Sequence, residues 1–101
     1  MNAFGISEKS YQLLATALSK YPQIEEVIVF GSRAKGNYKN GSDIDLAIKG
    51  AQCTPGLAFE LNGYFNEELP IPYHVDIIDY DSLRNKDLKD HIDRVGIRFY
   101  P

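Results

Sequence analysis

Cysteine occurs once in the 101-residue sequence, at Cys53, and tryptophan is absent. A lone cysteine excludes an internal disulfide, and with only two histidines there is no Cys/His cluster of the kind that holds zinc. Long hydrophobic runs are missing, since nothing approaches the roughly 18 consecutive apolar residues of a membrane span. The N-terminus lacks the basic stretch and apolar run of a signal peptide. Excess positive charge is missing too. A formal net charge of −3 argues against the broad basic surface that general nucleic-acid binding requires. The expectation from these absences is a cytoplasmic protein in a reducing compartment, without membrane association.

What is there is an ordinary globular composition, 44% hydrophobic and 25% charged. No repeat, low-complexity tract or linker divides the chain, so residues 1–101 are expected to form one domain. A domain of that size buries about two-thirds of its unfolded surface around one core.

Hydrophobic spacing orders the elements. Ser7 can cap a helix from Glu8 to about Lys20, with Tyr11, Leu14, Ala15 and Leu18 on one stripe. Ile24 to Phe30 ends in an unbroken β-branched run that reads as a strand buried on both faces. Gly31-Ser32 breaks it, Arg33 to Gly36 suggests one helical turn, and Asn40-Gly41 marks a polar loop. Asp43 to Lys49 alternates, with Ile44, Leu46 and Ile48 on one face and Asp43, Asp45 and Ala47 on the other. Thr54-Pro55 opens a helix to about Glu68. Tyr73 to Asp79 reads as a third strand, Val75 and Ile77 inward, His74 and Asp76 opposite. Asp81 can cap a last helix bearing Leu88, Ile92 and Val95 on one face, and Ile97 to Tyr100 could add an edge strand. The order predicts an α/β (α+β) fold, a small mixed sheet with helices packed on one face and the acids on the other.

The informative segment is GSRAKGNYKNGSDIDLAI, Gly31 to Ile48. On a strand, Asp43 and Asp45 point the same way, their Cα atoms about 6.5–7 Å apart. Asp76 adds a third carboxylate if its strand is a neighbour. Three carboxylates on one sheet face repel unless a cation neutralises them, and oxygen donors suit hard divalent ions such as a pair of Mg²⁺. Upstream, Gly31 lets the backbone approach a phosphate, the Ser32 hydroxyl can bind its oxygens, and Arg33 and Lys35 add positive charge. Asp79 is the alternative third acid. The core pattern of Val75 and Ile77 favours Asp76, and Asp79, three residues on, should point to the opposite face.

A strand, G-S, a turn, a strand with D-x-D and a later strand acid together resemble the DNA polymerase β-like nucleotidyltransferases. GSRAKG…SDIDLAI in particular is similar to the minimal, MNT-type members of bacteria and archaea, and the likeness extends over nearly the whole chain. The resemblance implies that Gly31 and Ser32 bind the phosphates of an NTP, with ATP the expected substrate. It also implies that Asp43 and Asp45 ligate two Mg²⁺ ions and that Asp76 is the third ligand and helps deprotonate the acceptor. It further implies a partner, because MNT-type proteins resemble the antitoxin half of pairs whose other half is an all-helical HEPN ribonuclease. There the transferase neutralises the toxin by adding AMP to a tyrosine hydroxyl. The competing reading is a non-catalytic binding module that inhibits its partner by contact alone. A nucleic-acid polymerase is disfavoured by the acidic charge.

The remaining polar residues carry blander expectations. His74 is read as a partly exposed sheet residue, His91 as a helix-surface residue, and Lys39 and Lys49 as solvated charges. Cys53 is read as structural or tolerated, and Tyr64, Phe65, Tyr73, Tyr80, Phe99 and Tyr100 as mostly core.

Overall fold

The structure is a computed structural model and describes residues 4–101. Helix α1 (Glu8–Leu18) starts where expected, the Ser7 hydroxyl accepting the amide of Ser10. Strand β1 (Glu26–Phe30) follows, then the short helix α2 (Gly31–Lys35) and strand β2 (Ile44–Lys49). Helix α3 (Pro55–Glu67) is capped by Thr54, whose hydroxyl accepts the amide of Leu57, with Pro55 in the first turn. Strand β3 (Val75–Asp79), a 3-10 turn (Tyr80–Ser82), helix α4 (Lys86–Val95) and strand β4 (Ile97–Tyr100) complete the described chain.

The four strands form one mixed sheet in the order β3-β2-β1-β4. β1 is antiparallel to both β2 and β4, whereas β2 and β3 run parallel, joined by the α3 crossover. Alternation along the strands sorts the side chains between two faces. Val27, Val29, Ile44, Leu46, Ile48, Val75 and Ile77 point to the larger core, where Leu14 and Leu18 of α1 and Leu61 and Phe65 of α3 cover them.

Two expectations need correcting. Helices do not keep to one face, because Ile92 of α4 buries against Phe30 and Ala47 on the other side, with Leu88 and Val95 beside it. Phe30 and Ala47 make that patch of the acid-bearing face apolar, so it demands a cover of its own. Nor does Asp81 cap the last helix. It lies in the 3-10 turn, Leu83 is extended, and Asn85 Oδ1 instead accepts the amides of Asp87 and Leu88.

β3 is an outer strand, and its exposed backbone is managed by two asparagines one helical turn apart on α3. Asn66 accepts from the Val75 amide and donates to the Val75 carbonyl, each at 2.8 Å. Asn62 does the same for Ile77, again at 2.8 Å for both bonds. Each carboxamide thereby stands in for a residue of a neighbouring strand. Replacing both, Asn62→Ala with Asn66→Ala, is expected to destabilise the fold by about 2–4 kcal/mol, given about 1–2 for each stranded backbone pair. It should also promote concentration-dependent association through the bared edge. Urea unfolding and sedimentation velocity check the two effects separately, and unchanged values for both would deny the asparagines this role.

Candidate active site

Register brings the acids together. β1 pairs with β2 so that Phe30 faces Asp45, and β2 pairs with β3 so that Asp45 faces Asp76. Neighbouring strands lie about 4.8 Å apart, so Asp45 and Asp76 are side by side on the open part of the second face. Asp43 stands just before β2 and is exposed, as is Asp76, while Asp45 is half-buried between the strands. Asp79 keeps the parity of Val75 and Ile77 and turns away from this row. It is buried, and its Oδ2 accepts from Ser82 Oγ at 2.6 Å.

The Gly31–Ser32 turn sits at the end of β1, beside the row. Gly31 has φ +71°, and a Cβ there would come within 2.3 Å of Asp45 Oδ2. A side chain at position 31 is therefore disfavoured on two grounds, backbone strain and displacement of the central acid. Ser32 is half-buried at the same corner and Lys35 is exposed one turn on.

Arg33 turns the other way. Its side chain is only 2% exposed, and it donates through Nη1 to the Phe4 carbonyl at 2.8 Å and through Nη2 and Nε to the Ser42 carbonyl at 2.8 and 3.2 Å. The rings of Tyr38 and Tyr73 lie 5.1 and 5.0 Å from its guanidinium carbon. Arg33 thus fastens the loop between α2 and β2 at the residue before Asp43, rather than presenting its charge at the Gly31–Ser32 turn.

His91 is the residue that sequence reasoning missed. The Gly31 amide donates to its Nε2 at 3.2 Å, and its ring meets Phe30 edge-on with centroids 6.2 Å apart. The signal was present, since position 91 lies three residues after Leu88 and four before Val95, on the helix face turned to the sheet. His74, by contrast, is exposed next to the acid row.

The electrostatics follow from the crowding. Burial first, then the charges of Asp76 and Asp43, push the Asp45 carboxyl up to about 6, with Arg33 and His74 acting in the opposite direction. Among the described residues no group of three or more His, Cys, Asp or Glu side chains converges closely enough, as it stands, to hold a metal ion. The donor chemistry nonetheless fits a hard divalent cation, because three carboxylates share a face and the central one, raised first by burial and then by its neighbours' charges, gains a counter-charge when a cation binds.

A raised carboxyl pKa means that the folded state holds the proton more tightly than the unfolded chain. The contribution of Asp45 is fully present below its unfolded value of 3.8 and is lost as pH rises through about 6. Asp45→Asn removes that loss, so the variant is expected to melt a few degrees above the parent at pH 7.5, with the gain gone by about pH 4. Differential scanning fluorimetry across pH checks it. Arg33→Lys should instead lower stability by about 1–3 kcal/mol in urea unfolding, since an ammonium cannot span both carbonyls and stack between the rings.

The Polymerase beta, Nucleotidyltransferase family matches residues 12–101. No curated protein matches the sequence. Among solved structures, a chain of a toxin-antitoxin complex with AMP-PNP superposes with a TM-score of 0.72 at 23% identity, over 88% of this chain and 71% of that one. A chain of a mutant of the toxin-antitoxin complex MntA-HpeT gives 0.66 at 19% identity, over 89% and 70%. A chain of the tri-AMPylated Shewanella oneidensis HEPN toxin in complex with MNT antitoxin gives 0.60 at 22% identity, over 88% and 71%. At these identities the superpositions establish the shared fold. With the family match covering most of its length, the chain belongs to the polymerase β nucleotidyltransferase family.

Proposed function

We propose that this chain transfers AMP from ATP to a hydroxyl of a helical protein partner, a tyrosine of a HEPN-type toxin, and thereby acts as the antitoxin of the pair. The observation that carries the reading is the row formed by the Gly31–Ser32 turn, Asp45 and Asp76, set by the β1–β2–β3 register on the uncovered part of the sheet. Structures of the same fold include a toxin-antitoxin complex with AMP-PNP and an AMPylated HEPN toxin held by an MNT antitoxin, which supports both donor and acceptor.

In this mechanism the triphosphate lies across the Gly31–Ser32 turn. The missing side chain of Gly31 lets the turn pass directly against Asp45, Ser32 Oγ donates to a phosphate oxygen, and Lys35 supplies positive charge at the rim. The Gly31 amide, engaged by His91 Nε2, holds the turn in place rather than binding phosphate. Asp43, Asp45 and Asp76 are the residues that would hold Mg²⁺. When bound, the metal neutralises the carboxylates and the charge that grows on the leaving pyrophosphate. Asp76, exposed on β3, accepts the proton of the acceptor hydroxyl as that oxygen attacks the α-phosphorus. The new bond joins the acceptor oxygen to phosphorus, the bond to the β-phosphate bridging oxygen breaks, and pyrophosphate departs.

With the partner co-expressed, Asp76→Asn is expected to cut AMP transfer by about 100-fold or more while the complex stays intact. Ser32→Ala should cost about tenfold, the loss of one hydrogen bond to a charged group. Intact-mass spectrometry of the partner, read as increments of AMP, measures both. A partner left unmodified by the wild-type chain with ATP and Mg²⁺, yet still inhibited, would establish contact-only inhibition instead.

A further inference from the structure

Tyr80 belongs to a group of side chains that the reaction at the acid row does not use. It follows β3 in the 3-10 turn and, although expected in the core, is only half-buried. Its ring packs against the smaller core of Phe30, Ala47 and Ile92. Its hydroxyl reaches the surface, where it donates to Asp93 Oδ1 of α4 at 2.5 Å. Lys49 Nζ, from the end of β2, lies 4.3 Å from the ring centroid. Lys89 Nζ, one turn before Asp93 on α4, lies 4.9 Å from it. The ion pairs among the described residues are Arg94–Asp90 and Arg98–Glu26, so neither ammonium is neutralised by a carboxylate. Other tyrosine hydroxyls are engaged differently, Tyr11 donating to the Phe99 carbonyl and Tyr73 accepting the Ser7 amide. Among the described residues, Tyr80 is the tyrosine whose hydroxyl rests on a carboxylate.

A phenol bonded to a carboxylate has a base in place for its proton, and two ammoniums beside it can meet the negative charge of a phosphate. The bond to Asp93 pushes the Tyr80 hydroxyl up to about 12, so it stays a phenol at neutral pH and needs that base in order to react. We propose that Tyr80 is itself an acceptor of AMP, modified in the active site of a second copy of this chain. The inference rests on the transferase reading above and adds a second acceptor to it. In the step, Asp93 Oδ1 takes the phenolic proton as the Tyr80 oxygen attacks the α-phosphorus of ATP bound to the other copy. The new oxygen–phosphorus bond forms, the bond to the β-phosphate bridging oxygen breaks, and pyrophosphate departs. The diester left on Tyr80 carries one negative charge, which Lys49 and Lys89 offset. Transfer within one copy is excluded by distance. Tyr80 lies four residues beyond Asp76, about 13 Å further along the direction of β3, with Ala47 and its cover of α4 between.

Intact-mass spectrometry of the purified chain after incubation with ATP and Mg²⁺ is expected to show one added AMP, which peptide fragmentation places on Tyr80. Tyr80→Phe should abolish the addition, and Asp93→Asn should slow it at least about tenfold. Both variants should still modify the co-expressed helical partner. Tyr80→Phe as enzyme, mixed with Asp76→Asn as acceptor, should place AMP on the Asp76→Asn chain. If Asp93→Asn fails to fold, Tyr80→Phe, which keeps the ring, decides. An unmodified chain beside a modified partner, or AMP on a different residue, overturns the proposal and leaves the transferase reading standing. So does an Asp76→Asn chain that stays unmodified in the mixture. AMP on Tyr80 with the partner unmodified upholds the proposal and removes the partner's tyrosine as acceptor. If neither is modified, both readings fall.

Discussion

Asp45 and Asp76 stand next to each other because β2 and β3 run parallel in a register that pairs them directly. A slip of one residue would send one of the two into the larger core and bring a hydrophobic residue to the acid face. That register is held by burial on the other side, where Ile44, Leu46, Ile48, Val75 and Ile77 are packed under α1 and α3. The apolar half of each strand therefore locates the charged half. Burial, and after it repulsion within the row, raises the central carboxyl, and the fold tolerates the cost because that core is large by comparison.

The turn beside the acids is positioned by contacts that reach well beyond it. Arg33 ties the carbonyls of Phe4 and Ser42 together from inside, so a basic residue one place from Ser32 serves the loop that delivers Asp43. His91 holds the Gly31 amide from α4. Both are polar groups whose satisfaction requires the surrounding backbone to be in place, which makes the site an outcome of folding and not a local property of its motif.

The outer edge of β3 illustrates a second economy of the fold. Asn62 and Asn66 recur at helical spacing on α3 and meet residues that recur at strand spacing on β3. Two helix positions four apart advance about 6 Å, and two strand positions two apart about 6.7 Å, so the two periods stay matched for one step.

Much of this was legible in the sequence. The strict alternation around Asp45, the β-branched run before Gly31 and the caps at Ser7 and Thr54 each rest on local chemistry, so elements and acid-bearing face follow from residue order. The opposite orientation of Asp76 and Asp79 follows equally from the two-residue period of a strand. Arg33 was read as facing the phosphates because charge was counted along the chain, whereas its direction depends on carbonyls 29 and 9 residues away. His91 lies 60 residues from Gly31, and its inward position depends on α4 packing over Phe30 and Ala47. The residue order alone thus determined the strands, the turn and the acids, because these obey periods of two to four residues. Which cation faces inward and which histidine holds the turn were decided only by tertiary structure, because those depend on groups that meet across the sheet.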